Sequence, residues 1–278
     1  MTDERVQDHY ASAGTGSSIA ARIGAAVRAT GGPNTSITPE TLAPFDHFHG
    51  GGLAATQELA AALQPQAGET ILDIGCGIGG PARWIARRYN CSLTGVDLTQ
   101  EFCDAARELN SLCGMSKQVR IVEGSALSLP LPDAVFDRAF SQFMVMNVAD
   151  KAGIYREALR VLKPGGRFVA CYVSSGPNGL PEFPLPWAAT SDHSFLASDE
   201  DTKRDFARAG FEITVLRDTT QTPTMLATMR RKLETEGLPA VGPHVLVGDQ
   251  YLQLLVNALR ATEQGRMRTV EIVAERRS

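Results

Sequence analysis

The stretch Ile71-Leu-Asp-Ile-Gly-Cys-Gly-Ile-Gly-Gly80 decides the fold. The short apolar run at Thr70–Ile74 predicts a buried strand. The glycines after it predict a tight turn that opens into a helix over 81–89. Glycine lets the backbone take positive φ and approach a ligand closely. By letters alone, Gly75, Gly77 and Gly80 fit the G-x-G-x-x-G pattern of dinucleotide sites. Asp73 argues against that reading. A carboxylate just before the first glycine suits a cationic amino group and repels a pyrophosphate. Asp97 follows the next predicted strand, 92–96, where a carboxylate can accept from both hydroxyls of a ribose. Either kind of cofactor uses this second acid, so Asp73 alone discriminates. The plainer alternative makes both acids strand-end turn residues. Against it, both fall at the carboxyl edge, where open α/β sheets bind ligands.

Outward from this stretch, strands and helices alternate. Strands are expected at 119–122, 135–140, 167–173 and 212–216, and helices at 101–112, 154–161 and Asp199–Ala209. Repeated βα units imply a mostly parallel sheet covered on both faces. Ahead of it, 19–28 and 53–63 have helical periodicity, and Thr38-Pro39 reads as an N-cap followed by proline at the first helical position. Behind it, Pro223–Glu236 and 249–263 read as helices and 269–274 as a last strand. The expected organisation is an N-terminal helical lid over 1–66 and an α/β domain over 67–278. Insertions are expected at about 175–198 and 219–266.

The 278 residues carry 27 basic and 31 acidic side chains, a formal net charge of −4. With no long Lys/Arg run, this argues against nucleic acid as the partner, since such binding rests on neutralising phosphates. The 43% hydrophobic content suffices for a large core with no disulfide or metal staple. Cys76, Cys91, Cys103, Cys113 and Cys171 form no C-x-x-C pair and stand at no zinc spacing. Their odd number and scatter point to reduced thiols and a cytoplasmic setting. No metal, signal peptide or membrane span is expected.

Three motifs in order carry a resemblance: Asp73-Ile-Gly-Cys-Gly-Ile-Gly-Gly-Pro-Ala-Arg83, Thr94-Gly-Val-Asp97, and Val161-Leu-Lys-Pro-Gly-Gly-Arg167. Together they resemble class I S-adenosylmethionine-dependent methyltransferases over roughly 68–218. The resemblance implies a Rossmann-like, seven-stranded, mostly parallel sheet with helices on both faces, the last strand antiparallel. The runs Gly79-Gly-Pro-Ala-Arg83, Ser141-Gln-Phe-Met-Val-Met-Asn147-Val-Ala-Asp-Lys151 and Pro184-Leu-Pro-Trp187 are similar to a narrower group. It holds glycine, sarcosine and dimethylglycine N-methyltransferases and bacterial natural-product methyltransferases. The flank Leu42-Ala-Pro-Phe-Asp46-His-Phe-His49-Gly, with Ala54-Ala-Thr56, resembles the lid of that group.

The resemblance implies that Gly75, Cys76 and Gly77 line the methionine portion of S-adenosylmethionine. It puts Asp97 and Leu98 on the ribose and adenine, Ala126 and Leu127 beside the adenine ring, and Ser141 and Gln142 near the cofactor. Ser125 stands where the family often has an acid for the adenine amino group, and a hydroxyl binds there more weakly.

Methyl transfer is an in-line displacement for which the cofactor carries its own activation. The protein aligns the reactants, which can supply on the order of 7 kcal/mol, and handles one proton. Histidine titrates near neutral pH, so His49 and His193 are the candidate bases, each with a structural role as the alternative. Tyr10 could close over the cofactor. The candidate acceptor wall is His47, Phe143, Met144, Asn147, Trp187 and Phe195, with Trp187 equally readable as packing. Arg83 is expected to brace the first helix of the α/β domain.

The favoured acceptor is nitrogen of a small amine or amino-acid-like metabolite, and the alternative is C- or O-methylation of an aromatic or natural-product scaffold. A nucleic-acid methyltransferase is disfavoured because Ser141-Gln-Phe-Met replaces the Asn/Asp-Pro-Pro-aromatic run of that class. A binding protein that lost the chemistry, and a nicotinamide dehydrogenase, share the fold but fit the acids less well. A homodimer stays open.

Overall fold

The computed structural model describes residues 17–47, 49–248 and 250–277. The chain enters through α1 (Ile19–Gly31), α2 (Pro39–Asp46) and α3 (Gly52–Leu63). Ser18 caps α1 by accepting from the Ala21 N–H. Thr38 and Thr41 form a reciprocal capping box at the start of α2, with Pro39 in its first turn, as the sequence predicts.

The α/β region follows as β1 (Thr70–Ile74), α4 (Gly80–Tyr89), β2 (Ser92–Asp97), α5 (Gln100–Leu112), β3 (Val119–Glu123), β4 (Phe136–Gln142), α6 (Lys151–Val161), β5 (Leu162–Ser175), α7 (Asp199–Ala209) and β6 (Phe211–Asp218). Then come α8 (Pro223–Glu236), α9 (His244–Val247), α10 (Tyr251–Glu263) and β7 (Met267–Arg276). The seven strands lie in the order β3-β2-β1-β4-β5-β7-β6. The pairs from β3 through β5 are parallel, and β7 runs antiparallel to both β5 and β6. This is the sheet that the resemblance implies.

Successive residues of each strand face opposite sides, and this splits the core in two. Leu72, Ile74, Ala139 and Phe168 pack with Tyr155 of α6 and Phe206 of α7. Ile71, Phe140, Val169 and Val273 pack with Leu59 and Leu63 of α3 and Ala82 and Ile85 of α4. A third cluster joins Ile19, Ile23, Leu42 and Phe45 to Ile78, Ala105 and Leu109, seating α1 and α2 against the glycine turn and α5.

Several boundaries differ from expectation, and β6 and β7 each extend beyond the predicted strands. β4 runs on to Gln142 because Ser141 and Gln142 pair with Ala170 and Cys171 of β5. β5 begins at Leu162 because Leu162 pairs with Phe136, and a register shift accommodates the Lys-Pro-Gly-Gly segment before Arg138 meets Arg167. The helix expected over 249–263 begins at Tyr251, while Asp249 lies outside the described residues.

The chain order turns back between β1 and β4, so the carboxyl ends of these two strands flank the crevice where open α/β sheets bind ligands. In register, Asp73 sits between Gly95 of β2 and Phe140 of β4.

Candidate active site

The glycine turn is built by close approach. Gly75 has φ of 80°, and a Cβ there would drive into the Met144 side chain. A Cβ on Gly80 would overlap the Asp46 carbonyl, so glycine is what lets α2 lie against the start of α4. The N–H groups of Gly75 and Cys76 both donate to the Val96 carbonyl, at 2.8 and 3.1 Å, tying the turn to β2.

Asp73 is 1% exposed, and its Oδ2 has no hydrogen-bond partner among the described residues. Burial, and then the neighbouring Asp97 charge, hold its carboxyl well above the usual range. An unpartnered buried carboxylate oxygen is costly and calls for a cationic donor. Asp97 is oriented by two backbone donors, the Gly77 N–H at 2.8 Å and the Thr99 N–H at 2.9 Å. The Thr99 side chain and the Leu98 N–H also lie toward this carboxylate, so a ribose would share an acceptor that the protein already orients. The Cys76 thiol, buried between these acids, is pushed well up and stays neutral.

Ser125 accepts from the Leu127 N–H at 3.2 Å, so its hydroxyl first shapes its own turn. Ala126 and Leu127 are half-buried against the main core. Leu98 is half-exposed at the end of β2. Ser141 is fully buried and donates to the Ile74 carbonyl at 2.9 Å, fastening β4 to β1.

At the β4 edge, Phe143 adopts φ of 53° and stacks on His49, with ring centroids 5.2 Å apart and planes 2° off parallel. Met144 covers Gly75. Thr56, on the buried face of α3, stands at the centre of a polar group. Its Oγ1 lies 2.9 Å from Nδ1 of His47, 3.3 Å from Nε2 of His49 and 3.1 Å from Oε1 of Gln142. His47 is 3% exposed behind Thr56, which places it in this polar group rather than on an open wall. Burial pushes both imidazoles down to about 4.

Arg83 is fully buried and ion-paired with Asp46 at 2.9 Å, and it donates to Asn110 Oδ1 at 2.8 Å and the Ile78 carbonyl at 2.7 Å. It braces α4 as expected, and also fastens α2 and α5 to it. Trp187, for which pocket wall and packing were both open, is packed in the main core with its Nε1–H donating to Ser194 at 3.0 Å. Phe195 donates its N–H to the Met146 carbonyl, and Asn147 is buried in the short turn between β4 and α6. His193 ends a separate one-turn helix after β5. Tyr10 lies outside the described residues.

Residues 72–170 match a family model described as a methyltransferase domain. This part of the chain is a methyltransferase domain. The matched residues run from within β1 to within β5, and so hold both acids and the glycine turn. Among curated relatives, cycloartenol-C-24-methyltransferase of Arabidopsis thaliana is 39% identical over 131 residues, covering 47% of this chain and 36% of that protein. Sarcosine/dimethylglycine N-methyltransferase of Halorhodospira halochloris is 33% identical over 116 residues, covering 41% and 42%. The chain thus spans well under two thirds of the length of these relatives. The crystal structure of geranyl diphosphate C-methyltransferase from Streptomyces coelicolor A3(2), in complex with Mg2+, geranyl diphosphate and S-adenosyl-L-homocysteine, superposes with a TM-score of 0.63. It is 22% identical, and the match covers 81% of this chain and 79% of that one. Among the described residues no helix is long and apolar enough to cross a membrane, and no cluster could hold a metal ion.

Sequence reasoning missed the roles of Thr56 and Asp46. A usable signal for the first was present: Thr56 falls on the stripe Thr56, Leu59, Ala60, Leu63, where a polar residue on a buried helix face needs partners.

Proposed function

We propose that the chain transfers a methyl group from S-adenosylmethionine to a small molecule with an apolar body. The observation that carries this reading is the unpartnered, buried Oδ2 of Asp73 beside the glycine turn of a methyltransferase domain. The residues fit the cofactor. Asp73 would hold its ammonium, Asp97 its ribose hydroxyls, and the open space at Gly77, where a Cβ would meet nothing within 4 Å, leaves the backbone accessible to it. When bound, the cofactor supplies the activated methyl group. Phe143 and Met144 offer the acceptor an apolar surface at the β4 edge. The sarcosine/dimethylglycine relative favours a second reading, methylation of an amino-acid-like amine.

Calorimetry followed by a radiolabelled-methyl screen tests the proposal. S-adenosylmethionine should bind while a nicotinamide dinucleotide does not, and one acceptor class among phenols, terpenoid alcohols, sterols, indoles and amines should gain a methyl group. Dinucleotide binding, or S-adenosylmethionine binding with no methylated product across that panel, would defeat it.

Asp73 gives the binding a pH signature. Burial raises the Asp73 carboxyl, so the free protein holds a proton there to higher pH than an exposed acid would, and the incoming ammonium displaces it. Affinity should therefore rise with pH, by at most about tenfold per unit, until the cofactor's own amino group deprotonates near pH 8. Calorimetry in two buffers of different ionisation enthalpy should report a proton released, and Asp73→Asn should abolish both the release and the slope.

A further inference from the structure

We infer that His49, Thr56 and His47 form a proton relay that carries a proton from the acceptor inward to Asp46, and that the acceptor's reacting atom is a hydroxyl oxygen or a carbon that must shed a proton. The inference rests on the methyl-transfer reading above.

The groups lie in one line. Asp46 Oδ2 is held by Arg83, and its Oδ1 faces Nε2 of His47 at 3.8 Å, neither atom having another partner among the described residues. His47 Nδ1 meets Thr56 Oγ1, which meets His49 Nε2. The remaining nitrogen, His49 Nδ1, lies 3.1 Å from the Gly50 carbonyl at the exposed end. The four residues join two elements, the C-terminal end of α2 with the turn after it and the buried face of α3.

Counting donors decides how the line works. If the Thr56 hydroxyl donates to Gln142, both imidazoles must donate to Thr56. Two bare ring nitrogens then face oxygen acceptors, His47 Nε2 toward Asp46 and His49 Nδ1 toward Gly50. Exchanging the Gln142 amide atoms, which occupy the same space, lets that side chain donate to Thr56 instead. The hydroxyl is then free to donate to either imidazole, and only one bare nitrogen faces an acceptor. With both rings neutral the network is therefore at least one donor short in every arrangement. With Gln142 donating, one added proton satisfies every contact at once.

The step balances. The acceptor's reacting atom displaces the Gly50 carbonyl from the one lone pair of His49 Nδ1 and passes its proton there, and the new N–H donates to Gly50 once the product leaves. The N–H bond at His49 Nε2 breaks as a new O–H forms on Thr56. The old Thr56 O–H breaks as an N–H forms at His47 Nδ1. The positive charge ends on His47, whose Nε2–H faces the Asp46 carboxylate, and the reverse sequence returns the proton to solvent. Gln142 donates to Thr56 throughout. The charged groups facing the rings are Asp46, which favours protonation of His49, and Arg83 of α4, which opposes it at His47.

Burial keeps both rings neutral at pH 7, so the relay is empty and ready to accept. Its weak basicity selects the acceptor class. An aliphatic ammonium, with a pKa near about 10, keeps its proton against such a ring and needs no base after methylation. An oxygen or carbon that has just gained a methyl group releases its proton readily to a weak base.

The test uses Thr56→Val, which removes the hydroxyl at constant shape, with Thr56→Ser as the conservative control. Side-chain nitrogen NMR of the cofactor-free protein should show that Thr56→Val changes the tautomer balance of both His47 and His49, while Thr56→Ser leaves it near that of the parent. On a hydroxyl or carbon acceptor, kcat of Thr56→Val should fall about 100-fold, with KM and cofactor affinity within about threefold, and serine should restore it. The parent's kcat should decline as pH falls toward 4, where a proton already occupies the relay. Half-exposed His49→Gln should lose kcat similarly and keeps the question answerable if Thr56→Val folds poorly. Imidazole signals indifferent to Thr56→Val, an undiminished kcat, or turnover confined to amines would overturn the inference. Failure of all methyl transfer would instead remove the enzymatic reading, and the NMR comparison would still decide whether the line is coupled.

Discussion

Replacing Arg83 with methionine should destabilise the protein by about 3–5 kcal/mol, the usual cost of leaving a buried charge without its partner. Asp46 is 2% exposed and Arg83 fully buried, so solvent cannot compensate either group. The loss reaches past the ion pair, because Asn110 Oδ1 and the Ile78 carbonyl each lose a donor. Asn110 in turn holds the Val119 carbonyl at 3.0 Å, so the disturbance extends to β3. Adding Asp46→Leu to the methionine variant should recover much of the stability, since an apolar pair of similar volume often replaces a buried ion pair at little cost. Urea unfolding of the two variants measures both effects. A loss below about 1 kcal/mol for Arg83→Met would show that the pair is not what fixes α2 to α4. In the folded fraction, His47 should become more basic, because the Arg83 charge opposes its protonation.

Local signals were legible and long-range ones were not. The run from Thr70 to Gly80 announced its strand, turn and helix because hydrophobicity, glycines and helix formers all act within a few residues. Thr38-Pro39 did the same for α2. The ends of β4 and β5 were missed because their last pairings, such as Phe136 with Leu162, depend on which strands become neighbours. The two acids proposed to hold the cofactor were readable from their place at strand ends. The relay was not, because its chemistry depends on Asp46 meeting Arg83 across 37 positions and on Thr56 meeting Gln142 across 86. No periodicity records such meetings. His47 and His49 looked like independent candidates for wall and base. A single hydroxyl between them makes them one unit, and that depends on how Gly51 and Gly52, both at positive φ, turn the chain into α3.

Asp97→Ala should cost S-adenosylmethionine about 100-fold or more in affinity while the fold is retained, as two charge-assisted hydrogen bonds of roughly 1.5–3 kcal/mol each are lost. The protein itself loses what Asp97 gives the Gly77 and Thr99 N–H groups, the Thr99 side chain and the Leu98 N–H, all within the turns that follow β1 and β2. Calorimetry and a thermal melt separate the two effects. Unchanged affinity would remove the ribose assignment, and collapse of the fold would mean that Asp97 mainly shapes the glycine turn. Asp73→Asn gives the complementary result, because a ribose acid serves either kind of cofactor whereas a buried carboxylate before the first glycine suits only a cation. The two acids also interact: the Asp97 charge helps hold the Asp73 carboxyl up, so removing it should make Asp73 ionise at lower pH. Residual binding by Asp97→Ala should then be weaker at every pH, and its rise should begin at lower pH than in the parent. A uniform loss with an unmoved profile would show that the two carboxylates act independently, and that burial alone holds the proton on Asp73.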